Sequence, residues 1–177
     1  MTKQVFKVDS AHSNLGFEVK HMMIAKVRGS FDTFTADLKL DPEDLTDAEI
    51  KFIIDVASIN SRNEDRDMHL RSEDFLDAEK YPQMTFVATD IKKTGDAEYD
   101  LTGDFTIRDV TKPVTFKVEY TGRGRNPWGA EVVAFEANTK INRKDFGLTW
   151  NSTLETGGVL VGEEIKIHVE IEANPLD

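Results

Sequence analysis

Apolar side chains recur at every second position through most of this chain, and that period is the strongest constraint on its fold. Leu15, Phe17 and Val19 alternate with Gly16, Glu18 and Lys20, the pattern of a strand with one buried face. Val27, Gly29 and Phe31 keep the parity, after which it shifts to Phe34, Ala36, Leu38 and Leu40. A β-bulge at Asp32-Thr33 would bring all of these side chains to one face. Asp41-Pro42-Glu43-Asp44-Leu45-Thr46-Asp47 reads as an acidic turn, and Ile50, Phe52, Ile54 and Val56 then resume the alternation. Further strands are expected at Thr85–Ile91, Tyr99–Ile107, Val114–Tyr120, Ala130–Ile141 and Glu164–Glu172. In the last, Ile165, Ile167, Val169 and Ile171 alternate with Lys166, His168, Glu170 and Glu172. One dry and one wet face is not the pattern of a parallel sheet covered by helices.

From Asn60 to Tyr81 the period is lost. Asn63 and Ser72 are candidate N-caps, each followed by acidic residues suited to a first helical turn. Two short helices are expected, Glu64–Leu70 and Glu73–Ala78, ended by Tyr81-Pro82. Gly95-Asp96 is a hairpin signal, and Gly122-Arg123-Gly124-Arg125-Asn126-Pro127 reads as a mobile loop. There is no linker and no internal repeat. The expectation is an all-β single domain over residues 1–177. It has about eight antiparallel strands, closed as a barrel or stacked as a sandwich, with a short helical insertion at about residues 62–80.

Composition narrows what such a fold can do. The chain has no cysteine, which excludes disulfides, iron–sulfur clusters, thiolate zinc sites and cysteine nucleophiles. Lys and Arg total 22 against 33 Asp and Glu, a net charge of −11, which disfavours sequence-independent nucleic-acid binding. Eleven Phe stand against two Trp and three Tyr, an excess of ring area with no polar tip and hence a dry interior. The amino terminus runs from Met1-Thr2-Lys3-Gln4 straight into Val5-Phe6-Lys7-Val8 with no apolar h-region, so a cytoplasmic protein without a signal peptide is expected. No apolar run approaches the length of a transmembrane helix.

Several segments, taken together, resemble the YceI-like family. They are Asp9-Ser10-Ala11-His12-Ser13 with Phe17-Glu18-Val19-Lys20-His21, then Val27-Arg28-Gly29-Ser30-Phe31. The likeness is strongest in Arg66-Asp67-Met68-His69-Leu70-Arg71-Ser72-Glu73-Asp74-Phe75-Leu76-Asp77, followed by Tyr81-Pro82 and Phe86. It continues through Gly103-Asp104-Phe105-Thr106-Ile107, Thr111-Lys112-Pro113-Val114 and Asn142-Arg143-Lys144-Asp145-Phe146-Gly147. One detail departs: Arg108-Asp109-Val110 stands where a glycine often follows the Thr-Ile pair. The resemblance implies a lipocalin-like eight-stranded antiparallel barrel that binds or transports a polyisoprenoid or similar fatty-chain amphiphile without catalysis and without a cofactor. Many relatives are exported to the periplasm, which the absent leader does not support for this chain.

An eight-stranded barrel is just wide enough to be filled by side chains or to hold one slender ligand. Alternation alone does not decide between them. The apolar candidates for a lining are Phe17, Val19, Phe31, Phe52, Ile54, Phe86, Phe105, Phe116, Phe135 and Trp150. For a polar head, an acidic protein must rely on local cations; Arg62, Arg66, His69 and Arg143 are the candidates, arginine being suited to bidentate phosphate contacts. The alternative for these cations is ion pairing with Glu64, Asp65, Asp67, Glu73, Asp74 and Asp145. An insertion beside a barrel mouth would make a natural lid.

Other chemistry finds less support. His12, His21, His69 and His168 lack the paired spacing of a helical zinc motif, so no metal is expected; His12 and His21 suit hydrogen bonding within the fold, and His168 an exposed face. Asp67 and His69, two residues apart, do not share a helical face, yet either is a candidate general base if the protein is instead an enzyme on an apolar substrate. No nucleophile elbow, P-loop or dinucleotide fingerprint is present. Asn151-Ser152-Thr153 is a glycosylation sequon that matters only in a secretory setting. A filled barrel docking through Asp41–Glu49 is a third reading, and isologous pairing into a homodimer along an exposed strand or across the lid would fit any of them.

Overall fold

The computed structural model describes residues 3–152, 154 and 158–176. Its strands are β1 (Gln4–Val8), β2 (Asn14–His21), β3 (Ala25–Phe31), β4 (Phe34–Asp41), β5 (Asp44–Asp55), β6 (Ile59–Asn60), β7 (Gln83–Gly95), β8 (Glu98–Ile107), β9 (Val110–Arg125), β10 (Glu131–Asn142) and β11 (Val161–Pro175). One helix, α1 (Glu64–Arg71), follows β6. The sheet runs β1-β4-β5-β7-β8-β9-β10-β11 and closes because β1 also pairs with β11, Phe6 opposite Pro175 and Val8 opposite Ala173. The result is the expected closed eight-stranded antiparallel barrel with one short helix.

The remaining short strands are continuations of barrel strands past three aligned kinks. β2 follows β1 along the same edge of β11, β3 lies beside β2, and β6 lies beside β3. Each kink is held by an aspartate. Asp9 accepts from Ala11 N–H at 3.1 Å, and Asp55 accepts from Ala57 N–H at 3.1 Å. Asp32 accepts from the Ser30 hydroxyl at 2.6 Å and from Asn60 Nδ2 at 3.0 Å. The break at Asp32-Thr33 does what the parity shift requires: Phe31 before it and Leu38 and Leu40 after it all face the barrel interior.

Glycines let two phenylalanines lie flat inside. A β-carbon on Gly103 would meet Phe86 Cζ at 2.5 Å and Val87 O at 2.6 Å, and one on Gly29 would meet Phe17 Cζ at 2.4 Å. Gly103 falls between Leu101 and Phe105 on the inward face of β8, and the Phe86 ring from β7 occupies the space its side chain would take.

The structure corrects several local expectations. Residues 73–80 form successive turns and not a second helix, because their amides fold back onto α1: Leu76 N–H donates to Leu70 O and Ala78 N–H to Arg71 O. Ser72 accordingly ends α1, its hydroxyl donating to His69 O at 2.6 Å. Asn63 is the N-cap expected, accepting from Arg66 N–H at 3.0 Å. Gly122–Arg125 is not a loop; β9 continues through it, opposite Glu131–Ala134. The acidic turn is shorter than Asp41–Asp47, since Asp41 and Asp44 already pair across Pro42-Glu43. Among the described residues no helix is long and apolar enough to cross a membrane.

Two outcomes follow. Gly103→Ala should cost about 1–3 kcal/mol, because the backbone oxygen of Val87 cannot move aside as a side chain could; the thermal midpoint should fall by about 2–4 °C for each kcal/mol, and an unchanged midpoint would show that the strands can part. The Asp32 carboxyl is held below its ordinary value of 3.8, first by the Ser30 hydroxyl and then by Asn60. A lowered folded value stabilises fully above the unfolded one and ceases to do so as pH falls through the folded one. The difference in midpoint between the parent and Asp32→Asn should therefore hold constant from about pH 7 to 5 and shrink below about pH 4; a difference that persists in acid would contradict this.

Candidate ligand-binding site

The inward residues of the strands do not fill the barrel. They leave a cavity of about 230 Å³, larger than the roughly 150 Å³ that accommodates a benzene molecule in an apolar protein core. Phe17, Val19, Phe31, Phe52, Ile54, Phe86, Phe105, Phe116 and Phe135 all line it. Several rings brace one another at the wall: Phe86 meets Phe116 edge-on at 5.2 Å, and Phe17 meets Phe31 at 5.7 Å. Rings locked in this way keep the cavity open, since none can swing inward without losing its neighbour.

Trp150 does not join that wall. It packs at the insertion, edge-on to His69 at 4.6 Å and tilted against Phe75 at 5.2 Å. Phe75 and Leu76, both buried, line the cavity from the turns after α1, together with Leu70. The phenylalanine-based reading missed these three. Their signal was available: Leu70, Phe75 and Leu76 are apolar positions in an otherwise highly charged segment. It also passed over aliphatic wall positions such as Leu15, Leu45 and Leu101.

The insertion is fastened by polar contacts that use up its candidate head-group ligands. Arg66 Nε donates to Ser61 Oγ at 2.8 Å and its Nη2 to Ser61 O at 2.6 Å. Ser61 in turn donates through its amide at 2.8 Å and its hydroxyl at 2.5 Å to Asp67 Oδ1. Asp67 is therefore a buried acceptor, and it is not part of the cavity wall. His69 Nε2 is 3.0 Å from Asp74, so Asp67 and His69 each have another partner. Arg62 is exposed, with its backbone at φ 63°, and lies off the wall as Arg66 and His69 do. From the far side, Arg108 reaches Phe75 O at 3.3 Å and covers the Tyr81 ring at 5.7 Å. It does so from φ 56°, the left-handed position where a relative's glycine would sit without strain.

Arg143 is the one candidate cation on the cavity wall, and it is only 2% exposed. A tight turn places it. Asn142 caps residues Arg143–Phe146 by accepting from Lys144 N–H, and Gly147 closes the turn at φ 78°. Phe146 is thereby pressed against Phe105 at 5.8 Å. The Arg143 guanidinium donates to three carbonyls, Gly162 at 2.8 Å, Leu148 at 2.7 Å and Val161 at 3.3 Å. Among the described residues no carboxylate forms an ion pair with it. Burial pulls its pKa down, partly offset by Glu163, but an arginine stays charged through such a shift. The chamber itself is wholly apolar: Arg143 borders it with its aliphatic stem, while its permanently charged head is turned to the three carbonyls.

Histidines and carboxylates meet at two places on the outer surface, Asp9/His12/Glu172 and Glu136/His168/Glu170. Each holds a single histidine. In the first, His12 Nδ1 is 2.8 Å from Asp9. That contact raises the imidazole pKa and lowers the carboxyl. In the second, His168 bridges Asn138 and Glu170, the latter at 2.9 Å. Asn151 of the sequon is engaged with Val161 through both its Oδ1 and Nδ2; Thr153 lies outside the described residues.

Comparison with known proteins agrees with this architecture. The YceI-like domain matches residues 6–173. A UPF0312 protein of Staphylococcus epidermidis is 40% identical over 173 residues, 97% of each chain, and one of Staphylococcus aureus is 38% identical over 168 residues, 94% of this chain and 95% of that one. Burkholderia cenocepacia BcnA superposes with a TM-score of 0.80 at 29% identity, covering 93% of this chain and 98% of BcnA. The Campylobacter jejuni YCEI protein superposes with a TM-score of 0.76 at 34% identity over 96% of both chains. A polyisoprenoid-binding domain from Saccharophagus degradans shares the fold alone, at 12% identity and a TM-score of 0.69, over 98% of this chain and 99% of that domain. With the profile spanning its whole barrel, this chain belongs to the YceI-like family.

Proposed function

We propose that the barrel is a non-catalytic carrier that sequesters one long-chain amphiphile, a polyisoprenoid or a lipid of similar shape, with its chain in the cavity and its polar end toward Arg143. The observation that carries this reading is a wholly apolar chamber of about 230 Å³ inside the closed barrel. The description of the Saccharophagus degradans domain as polyisoprenoid-binding supports the same ligand class for the shared fold. The chain would be held by area: at about 0.8 kcal/mol per buried CH₂, each five-carbon unit contributes about 4 kcal/mol gross. Association costs on the order of 4–15 kcal/mol, so a single unit binds weakly and several bind well. An acceptor oxygen on the head would gain a charge-assisted hydrogen bond from Arg143 by displacing its longest carbonyl contact, Val161 O at 3.3 Å. Asp67 and His69 lie off the wall with other partners, which argues against their acting on a bound chain.

Loading delipidated protein with prenyl alcohols of increasing length should give affinities that rise at least tenfold per added unit until the cavity is full, and the chain recovered by extraction should have the mass of the chain supplied. Titration by tryptophan fluorescence and mass spectrometry read these two results. No binding at any length would defeat the carrier reading, and a changed mass would defeat its non-catalytic part. Ile167→Trp places a larger ring into the cavity from the middle of β11. It should weaken binding at least tenfold while the thermal midpoint stays within about 4 °C of the parent; undiminished binding would put the chain elsewhere.

A further inference from the structure

The hairpin joining β2 to β3 ends in an apolar tip that is largely exposed among the described residues. His21 and Ala25 are its last pair, and Ile24 N–H donates to His21 O at 3.3 Å across a turn centred on Met22 and Met23. Both have positive φ, 56° and 65°. This is the type I′ geometry that favours Asn-Gly, because a β-carbon is strained there. Met-Met is therefore a poor choice for the turn itself; Met23 lies with one side against Gly158, yet Met22 is 44% exposed, Met23 53% and Ile24 88%. Met68 of α1, at the same end of the barrel, is 59% exposed.

The hairpin itself is cationic in a chain of net charge −11, in contrast to α1 at the same end with its Glu64, Asp65 and Asp67. No carboxylate occurs from Lys20 to Arg28, and Lys20 lies directly opposite Lys26. The neighbouring outward row runs across four strands through Arg28, Glu18, Lys166 and Lys140. Glu18 is shared by Arg28 at 2.9 Å, Lys26 at 3.9 Å and Lys166 at 4.0 Å, so one carboxylate faces several exposed cations.

We infer that this hairpin docks the protein onto an anionic lipid bilayer, with Met22, Met23 and Ile24 entering the headgroup region and Lys20, Lys26, Arg28 and Lys166 lying along the phosphates. Apolar tips flanked by basic residues bind such surfaces through buried area and attraction to anionic lipid together, and flexible methionine suits a disordered partner. Charge decides the occupant. A second copy meeting this one tip to tip would set lysine against lysine, whereas an anionic leaflet attracts this patch and repels the acidic remainder, which orients the molecule. The docking needs no chain inside the barrel, so it is tested apart from the carrier reading.

Flotation with phosphatidylcholine vesicles, with and without about 30% phosphatidylglycerol, tests it. The full chain should float with the anionic vesicles alone and should be released at about 0.5 M salt, where screening acts within a few ångströms. The paired change Met22→Asn and Met23→Gly suits the turn, so it should raise the thermal midpoint by about 2–4 °C while weakening vesicle binding about tenfold. Lys20→Glu with Lys26→Glu should weaken it as much or more. If the Asn-Gly variant gains stability and floats as before, or if neither vesicle type carries the parent, the inference is overturned. A parent that sediments as a dimer and becomes a monomer on Ile24→Asp would overturn it too, assigning the tip to a second copy.

Discussion

Closure of the barrel through β1 is the constraint on which the rest of the structure depends. This five-residue strand is bonded to β4 on one side and to β11 on the other, and without it the sheet would have two open edges. The seam is the driest part of the molecule: Val133 and Ala173 are fully buried and Phe6 is 2% exposed. With no cysteine to cross-link it, closure rests on backbone hydrogen bonds and this packing. Eight strands then set the interior diameter, and the locked rings prevent the wall from collapsing into the space. A cavity of about 230 Å³ forfeits dispersion contacts worth on the order of 5 kcal/mol by the scaling found for engineered cavities. That is comparable with the whole net stability of many domains, so a guest that fills the space contributes to the stability of its host.

Polar groups are treated with corresponding strictness. Along the kinks, each aspartate satisfies an amide or a hydroxyl that the interrupted ladder leaves free, and Asp67 does the same beneath the insertion. Arg143 is the exception in kind: it is satisfied by carbonyls and has no counter-charge, although a buried charge is costly unless it is paired. Its donors tie the residue after the turn to the start of β11, through Leu148 O, Val161 O and Gly162 O, carbonyls that a smaller residue would leave without this partner. Tyr120 is the exception in satisfaction. Its hydroxyl is the one buried side-chain polar atom without a partner among the described residues, and burial raises its pKa, which keeps it a neutral phenol.

Much of this was legible from alternation. The period-two pattern located the barrel strands other than β1, whose five residues are too few to show a period beside the amino terminus. The parity shift marked the kink at Asp32-Thr33, and nine of the ten apolar candidates face the cavity because strand parity fixes which face a side chain takes. Trp150 fell outside that logic: it lies beyond the regular strands, where no period dictates direction. The second helix failed for a related reason, since Ser72 caps equally well as an end or a beginning and only the tertiary return of Leu76 and Ala78 to α1 decides. The cations were the least legible. Arg62, Arg66 and His69 cluster in sequence, but their reach depends on Ser61 and Asp74, whereas Arg143 reaches the wall through a turn whose inward aim no local pattern encodes. Whether the interior was filled or open was also beyond alternation, because the same inward residues serve both; packing volume alone separates the cases.

Strain has a direction in this molecule. Among the described residues, six other than glycine adopt left-handed backbone: Met22, Met23, Arg62, Asp77, Ala97 and Arg108. Ala97 alone sits at the end of the barrel where β7 turns into β8; the other five surround the end that carries α1 and the β2–β3 tip. Each such residue costs on the order of 1 kcal/mol or more, and neutral drift would replace it wherever glycine or asparagine served as well. At Arg108 the side chain gives a reason, since a glycine could neither reach Phe75 O nor cover Tyr81. At Met22 and Met23 the turn is held to the chain before β11, Met22 N–H donating to Leu160 O at 2.7 Å and the Met23 side chain lying against Gly158. Five of the six strained positions thus gather at one mouth. The seam of β1 and β11 closes the wall, and at that mouth Leu70, Phe75 and Leu76 of the insertion complete the cavity, so the two devices divide between them the shaping of the interior.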